Sequence, residues 1–324
     1  TLSTGGTKRF ALGTTKIAGN FTLSGATANA TANQSKIDYN GAAQTVAAIA
    51  YHDLTLSNSG TKTMPTSAMS VAGNLVSEGT VSFAAGASIT VSRDVTIGAN
   101  TTFGGGSFSH TVGGNWTANG TFTPGASTVT FTGADKTISG TTSTPEFNNL
   151  TINSSTVTVN FSSLKVLGNL AGTGGYSQAA NGTLTMSGTS KSISGTGHSF
   201  QNLVIDGTIS TDASFTVNGN LTVNSGKSFS ATAGTVTMAG SGKSITNSGT
   251  ATFWGLGIGG ATSTASSFTV NSSLGGAASL TATAGAVTFN GETTTFGGTH
   301  NLFNVDVPST KGLTLSANAT LGVA

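Results

Sequence analysis

Residues 147–152 read FNNLTI, and the same pattern returns at residues 200–205 as FQNLVI. An aromatic residue is followed two positions later by Asn, and then by apolar residues that alternate with polar ones. The third position of the pattern falls at Asp53, Asn149, Asn202, Gly255 and Asn304. Its members lie about 50 residues apart, except that the first interval is nearly twice as long. A long, nearly fixed period is typical of repeat proteins, in which each unit packs on its neighbours.

Two further columns follow the same period. In one column, an apolar-x-apolar strand leads into a small or polar pair that ends at Asn20, Asn74, Asp94, Asn115, Asn169, Asn220, Ser273 and Asn318. In the other column, a lysine opens a strand at Lys136, Lys191 and Lys243. The steps from Asn74 to Asp94 and on to Asn115 are each only about 20 residues. The main repeat of about 52 residues therefore carries an insertion of two short units.

The alternation of apolar and polar residues distinguishes this chain from a disordered one. Gly, Ser and Thr dominate and only 12 Lys/Arg and 10 Asp/Glu are present, a composition that some disordered segments share. However, its 17 Phe and its Val, Ile and Leu lie largely at period-two spacing, as in Ser127–Phe131 and Ser214–Asn218. No segment has a convincing amphipathic helical pattern, so we predict an all-β chain.

These periods predict a parallel β-solenoid, or β-helix, in which each coil contributes about three short strands and neighbouring coils share one core. We interpret the long repeat as two coils of about 26 residues, with three coils of about 17 residues as the alternative. One continuous, right-handed solenoid is expected over residues 1–324. Its predicted parts are a partial repeat 1–39, a repeat 40–131 with the two inserted coils, repeats 132–186, 187–238 and 239–289, and a partial repeat 290–324.

The main column predicts two stacked features. A core aromatic column, with Val and Ile filling the coils between its members, consists of Tyr51, Phe147, Phe200 and Phe253. A corner ladder consists of Asp53, Asn149, Asn202 and Asn304. Asn suits a coil corner because it tolerates left-handed backbone and because its amide can bond to a neighbouring coil.

The two ends of the sequence resemble two parts of one repeat. A join from tail to head would place Asn318 and Asn20 at a step of about 26 residues, close to an internal coil step. Neither end has a distinctive polar cap, so we expect uncapped ends that stack on other copies and give an open filament. The predicted subunit junction consists of Ile17, Phe21 and Leu23 at one end and Leu313, Leu315 and Leu321 at the other.

Composition argues against several other functions. The chain has no Cys, which excludes disulfides, thiolate metal sites and a cysteine nucleophile. No apolar stretch approaches the roughly 20 residues that span a bilayer. The formal net charge of +2 is too small for a surface that follows nucleic-acid phosphates.

Titratable residues do not cluster in the sequence. The ten acidic residues are scattered, and Asp206 and Asp212 are the only near pair, which a turn explains equally well. The four histidines are interpreted as solvated corner residues, because His198 and His300 are two long repeats apart and cannot share a metal. We therefore predict no enzyme activity and no catalytic, cofactor-binding or metal-binding residues.

Two phrases, Phe215–Val223 and Gly182–Gly188, resemble the strand repeats of large secreted microbial surface proteins. These are the filamentous-haemagglutinin-like and autotransporter-adhesin-like β-helices. The resemblance extends over nearly the whole chain, implies an extracellular or cell-surface location with a structural or adhesive role, and transfers no functional residue. It leads to a first hypothesis, a filament subunit whose main partner is another copy of itself, with cell-surface or matrix components as further partners. The alternatives are the stalk of a larger adhesin and, more distantly, a carbohydrate-active β-helix enzyme.

Overall fold

The computed structural model of this protein describes residues 6–23, 27–31, 33–316 and 319–323. These residues form strands and turns without any helix. The chain divides into two compact units, Thr1–Phe161 and Ser162–Ala324. The prediction of an all-β parallel β-solenoid is confirmed, and the fold has about 16 turns. Its handedness, the absence of caps and the continuity of one solenoid over the whole chain stay predictions.

The described strands of the first unit are β1 Thr7–Arg9, β2 Thr14–Ile17, β3 Thr27–Asn29, β4 Lys36–Tyr39, β5 Gln44–Thr45, β6 Asp53–Leu56, β7 Ser59–Thr63, β8 Met69–Val71, β9 Leu75–Ser77, β10 Thr80–Ala84, β11 Ile89–Val91, β12 Val95–Ile97, β13 Thr102–Gly104, β14 Ser109–Val112, β15 Trp116–Ala118, β16 Thr121–Thr123, β17 Thr128–Phe131, β18 Lys136–Ser139, β19 Glu146–Phe147, β20 Asn149–Ile152 and β21 Thr156–Val159.

The described strands of the second unit are β22 Ser163–Val166, β23 Leu170–Ala171, β24 Gly175–Gln178, β25 Thr183–Met186, β26 Lys191–Ile193, β27 Ser199–Phe200, β28 Asn202–Ile205, β29 Thr208–Thr211, β30 Phe215–Val217, β31 Leu221–Val223, β32 Ser228–Ala231, β33 Thr235–Met238, β34 Lys243–Asn247, β35 Thr250–Ile258, β36 Thr262–Thr264, β37 Phe268–Gly275, β38 Leu280–Ala282, β39 Ala286–Phe289, β40 Thr294–Phe296, β41 Thr299–Leu302, β42 Asn304–Asp306, β43 Leu313–Leu315 and β44 Thr320–Val323.

Parallel pairing arranges the strands of the first unit in three rows. Row A contains β5, β7, β10, β13 and β16. Row B contains β8, β11, β14, β17 and β20. Row C contains β2, β4, β6, β9, β12, β15, β18 and β21. From β8 onward the chain visits rows B, C and A in turn, so three strands make one coil.

The second unit has the same construction. Row D contains β23, β26, β29, β32, β39, β42 and the first parts of β35 and β37. Row E contains β24, β27, β30, β33, β40, β43 and the last parts of β35 and β37. Row F contains β22, β25, β28, β31, β34, β36, β38, β41 and β44. The chain visits rows F, D and E in turn.

The coil length lies between the two lengths that we predicted. Leu75 pairs with Val95, and Val95 pairs with Trp116, so each of these coils contains about 20 residues. The interval from Phe200 to Phe253 spans eight strand positions, from β27 to β35. Eight strands make two and two-thirds coils, so both interpretations of the repeat, as two long coils and as three short ones, were wrong. The repeat is not a whole number of coils.

The inserted short units of the first unit are complete coils. Tyr51 makes an isolated bridge to Val71 and so occupies row B. From this bridge to β19, which contains Phe147, the chain passes fourteen strand positions, six more than the usual eight. Six strands are two full coils, and the insertion therefore leaves every later strand in the row that it would otherwise occupy.

Alternation along each short strand places the core between the rows. In β12, for example, Val95 and Ile97 are buried whereas Thr96 lies half-buried on the outer side. A single coil cannot cover its inward residues, because it is only one strand thick. Stacking lets each inward residue pack against its equivalents above and below, so the stability of one coil depends on its neighbours.

Some corners are so tight that only glycine fits. Gly195 has φ +102°, and a Cβ at this position would lie 1.9 Å from the carbonyl oxygen of Gly172 in the preceding coil. Gly226 also has a positive φ, +69°, but a Cβ there would meet no atom within 4 Å. A substitution at Gly226 therefore carries only the cost of left-handed backbone, whereas one at Gly195 carries that cost and the cost of a steric clash.

We expect Gly195→Ala to lower the free energy of unfolding by more than about 2 kcal/mol, because it adds a clash to the cost of left-handed backbone. The control Gly226→Ala should cost only about 1 kcal/mol, since it carries the backbone term alone. Equilibrium urea denaturation followed by circular dichroism measures both. Equal effects of the two variants would contradict the close approach of these coils.

Candidate functional site

The four residues of the predicted core aromatic column are buried, but they do not form one column. Tyr51, Phe147, Phe200 and Phe253 all have 0% exposure. Within the second unit, Phe200 pairs in row E whereas Phe253 pairs in row D. The prediction of a single column was wrong, because a repeat of eight strands moves its aromatic residue by one row in each copy.

Other aromatic residues fill the space between them. In the second unit Phe215 and Phe229 connect Phe200 to Phe253, and the successive ring centroids lie 5.2, 6.3 and 5.7 Å apart. Buried Val and Ile also occupy these coils, among them Ile209, Val217 and Val223, so the aromatic rings add to the expected aliphatic filling. Edge-to-face and tilted contacts at such distances each add about 0.5–1.5 kcal/mol beyond area burial, so the aromatic series stiffens the core.

A ladder of side-chain to backbone hydrogen bonds runs along the corner before row C. Its acceptors are side-chain oxygens, and each accepts from a backbone N–H in the next coil. The bonds are Asn74 N–H to Asp53 Oδ1 at 2.7 Å, Asp94 N–H to Asn74 Oδ1 at 3.1 Å, Asn115 N–H to Asp94 Oδ1 at 2.7 Å and Thr137 N–H to Asn115 Oδ1 at 3.0 Å. Members of two sequence columns that looked separate, Asp53 from one and Asn74, Asp94 and Asn115 from the other, thus belong to one ladder.

The second unit builds the same bonds at two corners. The backbone N–H of Asn220 donates to Asn202 Oδ1 at 2.9 Å, and that of Ser244 donates to Asn220 Oδ1 at 3.0 Å. At another corner, the N–H of Ser192 donates to Asn169 Oδ1 at 2.9 Å. Each rung gives a corner N–H an acceptor from the neighbouring coil, so the ladders fix the register between coils.

The predicted corner ladder was wrong in two respects. Its members do not share one corner, because Asp53 and Asn149 open strands of rows C and B in the first unit, and Asn202 and Asn304 open strands of rows F and D in the second. The predicted backbone conformation was also wrong. Asp53, Asn149, Asn202 and Asn304 each open a strand, and none has a positive φ. An extended residue at a strand start is what lets the side chain reach along the stack to the next coil. The described non-glycine residues with positive φ are Gln34, Asn58, Asn100, Asp135, Asn181 and Ser190.

Three histidines are buried, and the prediction that the histidines are solvated was wrong for them. His110, His198 and His300 are at most 3% exposed. Each one precedes a buried apolar residue by two positions, namely Val112, Phe200 and Leu302. Side chains alternate along a strand, so a residue two positions before an inward residue also points inward. The sequence alone contains this spacing.

All three buried histidines make the same two hydrogen bonds. Nδ1 accepts from a backbone N–H of the preceding coil, at 3.2 Å from Ile89, 3.1 Å from Tyr176 and 3.0 Å from Leu280. Nε2 donates to a nearby carbonyl oxygen at 2.8–2.9 Å. This arrangement requires the neutral ring, and burial lowers the pKa of all three histidines. The histidines therefore act as neutral clamps between coils.

His52 differs from the other three. It is half-buried, and its Nδ1 lies 3.0 Å from Oδ2 of Asp53, the first acceptor of the row C ladder. Among the described residues, no group of three or more His, Asp or Glu side chains is placed to hold a metal ion. The described part of the chain also contains no helix that could cross a membrane.

The residues of the predicted junction are less well covered than the interior core. Ile17, Phe21 and Leu23 in the first unit, and Leu313 and Leu321 in the second, are half-buried, while Leu315 is 54% exposed. In contrast, Phe296, the partner of Leu315 in the preceding coil, is completely buried. Asn318, which the sequence placed at this end of the repeat, lies outside the described residues.

The fold defines the chain as a parallel β-solenoid repeat protein. Comparison with family models, with curated proteins and with solved structures finds no match to this chain.

Proposed function

We propose that the chain is a structural subunit of an extracellular filament that polymerises head to tail by coaxial stacking of solenoid ends. The observation that supports this most directly is the exposure of Leu315 in β43. It continues an inward position of row E, where its partner Phe296 has 0% exposure. A further coil stacked on β43 would cover Leu315 in the way that β43 covers Phe296.

Open strand edges support the same proposal. Among the described residues, β42, β43 and β44 each pair with one strand only, respectively β39, β40 and β41. Their free edges carry the backbone donors and acceptors that parallel pairing uses. A second copy that adds its own strands would satisfy these groups and cover the leucines at once.

The first unit also has a largely apolar surface. Phe21 and Leu23 line a cavity of about 570 Å³ together with residues 45–48 and 63–67. Val46 and Met64 in this lining are also apolar. Two different apolar surfaces of one chain would form a heterologous contact, and such a contact gives open filaments when its rotation does not close.

We expect the purified chain to form fibres visible by negative-stain electron microscopy and to sediment as a concentration-dependent series of oligomers. Leu315→Lys should weaken association roughly 100-fold, because it places a charge in an apolar junction. Ser210→Lys is the matched control, since Ser210 is exposed on the side of row D and should leave polymerisation intact. A chain that stays monomeric at high concentration would refute the proposal.

The stalk of a larger surface adhesin remains the alternative, because additional repeats in the same polypeptide would cover the same leucines. The two differ in the mass of the protein in its natural source. Intact-mass measurement near 31.7 kDa favours the filament subunit, whereas a much larger mass favours the stalk.

A further inference from the structure

A groove in the second unit contains the exposed one of the two tryptophans. Trp116 is 1% exposed and belongs to the core, whereas Trp254 is 43% exposed. In the main repeat, three of the four equivalents of Trp254 are polar, namely His52, Asn148 and Gln201, and the fourth is Phe303. A large aromatic residue at an outward position, where the fold needs only a polar one, has no role in core packing.

Local strand geometry creates the groove. At the corner between rows D and E most coils turn between two separate strands, but β35 and β37 continue across it, with an irregular register between Phe253 and Gly255. The next two coils instead carry loops at this corner, residues 290–293 and 307–312. The flat coils form the floor and the loops form a wall, which leaves a cavity of about 360 Å³.

The wall is held in place by backbone bonds. The Asn290 N–H donates to the Val270 carbonyl at 3.0 Å, and the Gly312 N–H donates to the Glu292 carbonyl at 3.2 Å. Gly291 permits the close approach, because a Cβ there would lie 1.7 Å from the Asn271 carbonyl oxygen. The groove is therefore largely preformed, as small-molecule sites usually are.

The side chains around the indole are polar and nearly neutral overall. Trp254 shares the groove with Asn271, Ser272, Asn290 and Thr293, and with Glu292 and Lys311, which form an ion pair at 2.8 Å. Lys311 lowers the pKa of the Glu292 carboxyl through its hydrogen bond. The Glu292 side chain is 90% exposed, so the remaining lone pairs of its carboxylate are open to a ligand. The lining thus offers amide, hydroxyl and carboxylate groups around one aromatic face.

One buried polar atom of the lining finds no hydrogen-bond partner among the described residues. This atom is Asn271 Oδ1, and a buried amide oxygen without a donor is costly. Asn271 lines the groove, so a ligand bound there would lie beside its amide group. A hydroxyl-rich ligand that donated a hydrogen bond to this oxygen would remove the cost of leaving it unsatisfied.

We infer that this groove binds a neutral saccharide. The apolar face of a pyranose ring stacks on an indole, while its equatorial hydroxyls both donate and accept in the plane around it. Trp254 supplies the stacking surface, and Asn271, Asn290 and Glu292 supply the hydrogen-bond partners. The compensated Glu292–Lys311 pair leaves no net charge to attract an anionic or cationic ligand, and the polar surround does not suit a lipid chain.

The test uses the intact chain and a panel of soluble neutral oligosaccharides, with glucose-, xylose-, mannose- and galactose-based members. At least one should bind with a change in tryptophan fluorescence and a dissociation constant confirmed by calorimetry. Trp254→Ala should weaken that binding at least tenfold, and Trp254→Phe should retain part of the affinity but lose the fluorescence change. Urea denaturation should show unchanged stability for both variants, since Trp254 is not in the core.

Phe303→Ala is the matched control, because Phe303 follows at the same position of the next repeat, is 39% exposed and lies at a different corner. It should leave saccharide binding unchanged. No binding by any member of the panel, binding of acidic oligosaccharides such as heparin fragments alone, or equal loss with Phe303→Ala would each overturn the inference.

Discussion

Removal of residues 75–94 should leave a first unit that still folds. This deletion joins Asn74 to Val95 and takes out β9, β10 and β11, which are one strand from each row. Leu75 and Val95 are register partners, so Val95 takes over the position of Leu75. The row C ladder also survives, because the Asn115 N–H would meet Asn74 Oδ1 where it now meets Asp94.

The control is a deletion of half that length. Removing residues 85–94 takes out β11 alone, so every later strand of the unit falls into the preceding row and loses its present partner. The ladder acceptor of Asp94 is also lost without a residue to replace it. We expect a molecule without cooperative unfolding, although its deletion is only half as long.

Far-UV circular dichroism and equilibrium urea denaturation distinguish the two deletions. The one-coil deletion should keep a cooperative transition with a modestly lower midpoint, because long arrays lose roughly the contribution of the coil removed. If both deletions unfold the unit, or if both are tolerated equally, the coil is not the unit of construction. Tolerance of the one-coil deletion would also indicate that the two extra coils could be inserted as whole units without disturbing the fold.

Acidification below pH 6.5 should destabilise the protein through the three buried histidines. His110, His198 and His300 are neutral in the folded state, and burial lowers their pKa below the unfolded value of about 6.5. Below that pH the unfolded chain binds protons that the folded chain does not. Stability is therefore fully present above about pH 6.5 and is lost as the pH falls, at up to about 1.4 kcal/mol per pH unit for each histidine.

Together the three histidines should cost up to about 3 kcal/mol between pH 6.5 and pH 5.5, because each unfolded histidine is only half protonated at pH 6.5. Replacement of all three by Gln keeps one donor and one acceptor but removes the titration, so the urea midpoint should change much less over this interval. His52→Gln is the control, because this side chain is half-buried beside Asp53 and is not enclosed in the core. An equal pH dependence in the triple variant and the parent would contradict the neutral-clamp arrangement.

The class of fold was predictable because alternation in short segments is a direct record of which side chains face inward. Val95, Thr96 and Ile97 show this within one short strand. Coil length was harder, because the repeat in the sequence spans eight strands whereas a coil has three. The clue lay in the two short steps from Asn74 to Asp94 and on to Asn115, which are single coils. We interpreted them as an exception to the repeat when they were its basic unit.

The candidate sites were less predictable from the sequence. The burial of His198 could be inferred because it lies two positions before Phe200, on the same side of the strand. Its hydrogen bond from Tyr176 could not, because that bond joins residues of different coils and depends on the coil length. Trp254 is recognisable as an aromatic residue at an outward position. Its groove is not, because the floor exists only where β35 and β37 continue across a corner and the wall comes from loops one and two coils away.

The mismatch between eight strands and three rows determines in which direction each repeat presents its surface. Gln201, Trp254 and Phe303 are equivalent residues of successive repeats, yet they lie at the E–F, D–E and F–D corners of the second unit. Tandem duplication of this repeat therefore distributes copies of any surface group over three sides. A binding group faces the same side of the solenoid again only after three repeats. The number of identical sites that one flat partner can contact at the same time is therefore about a third of the number of repeats.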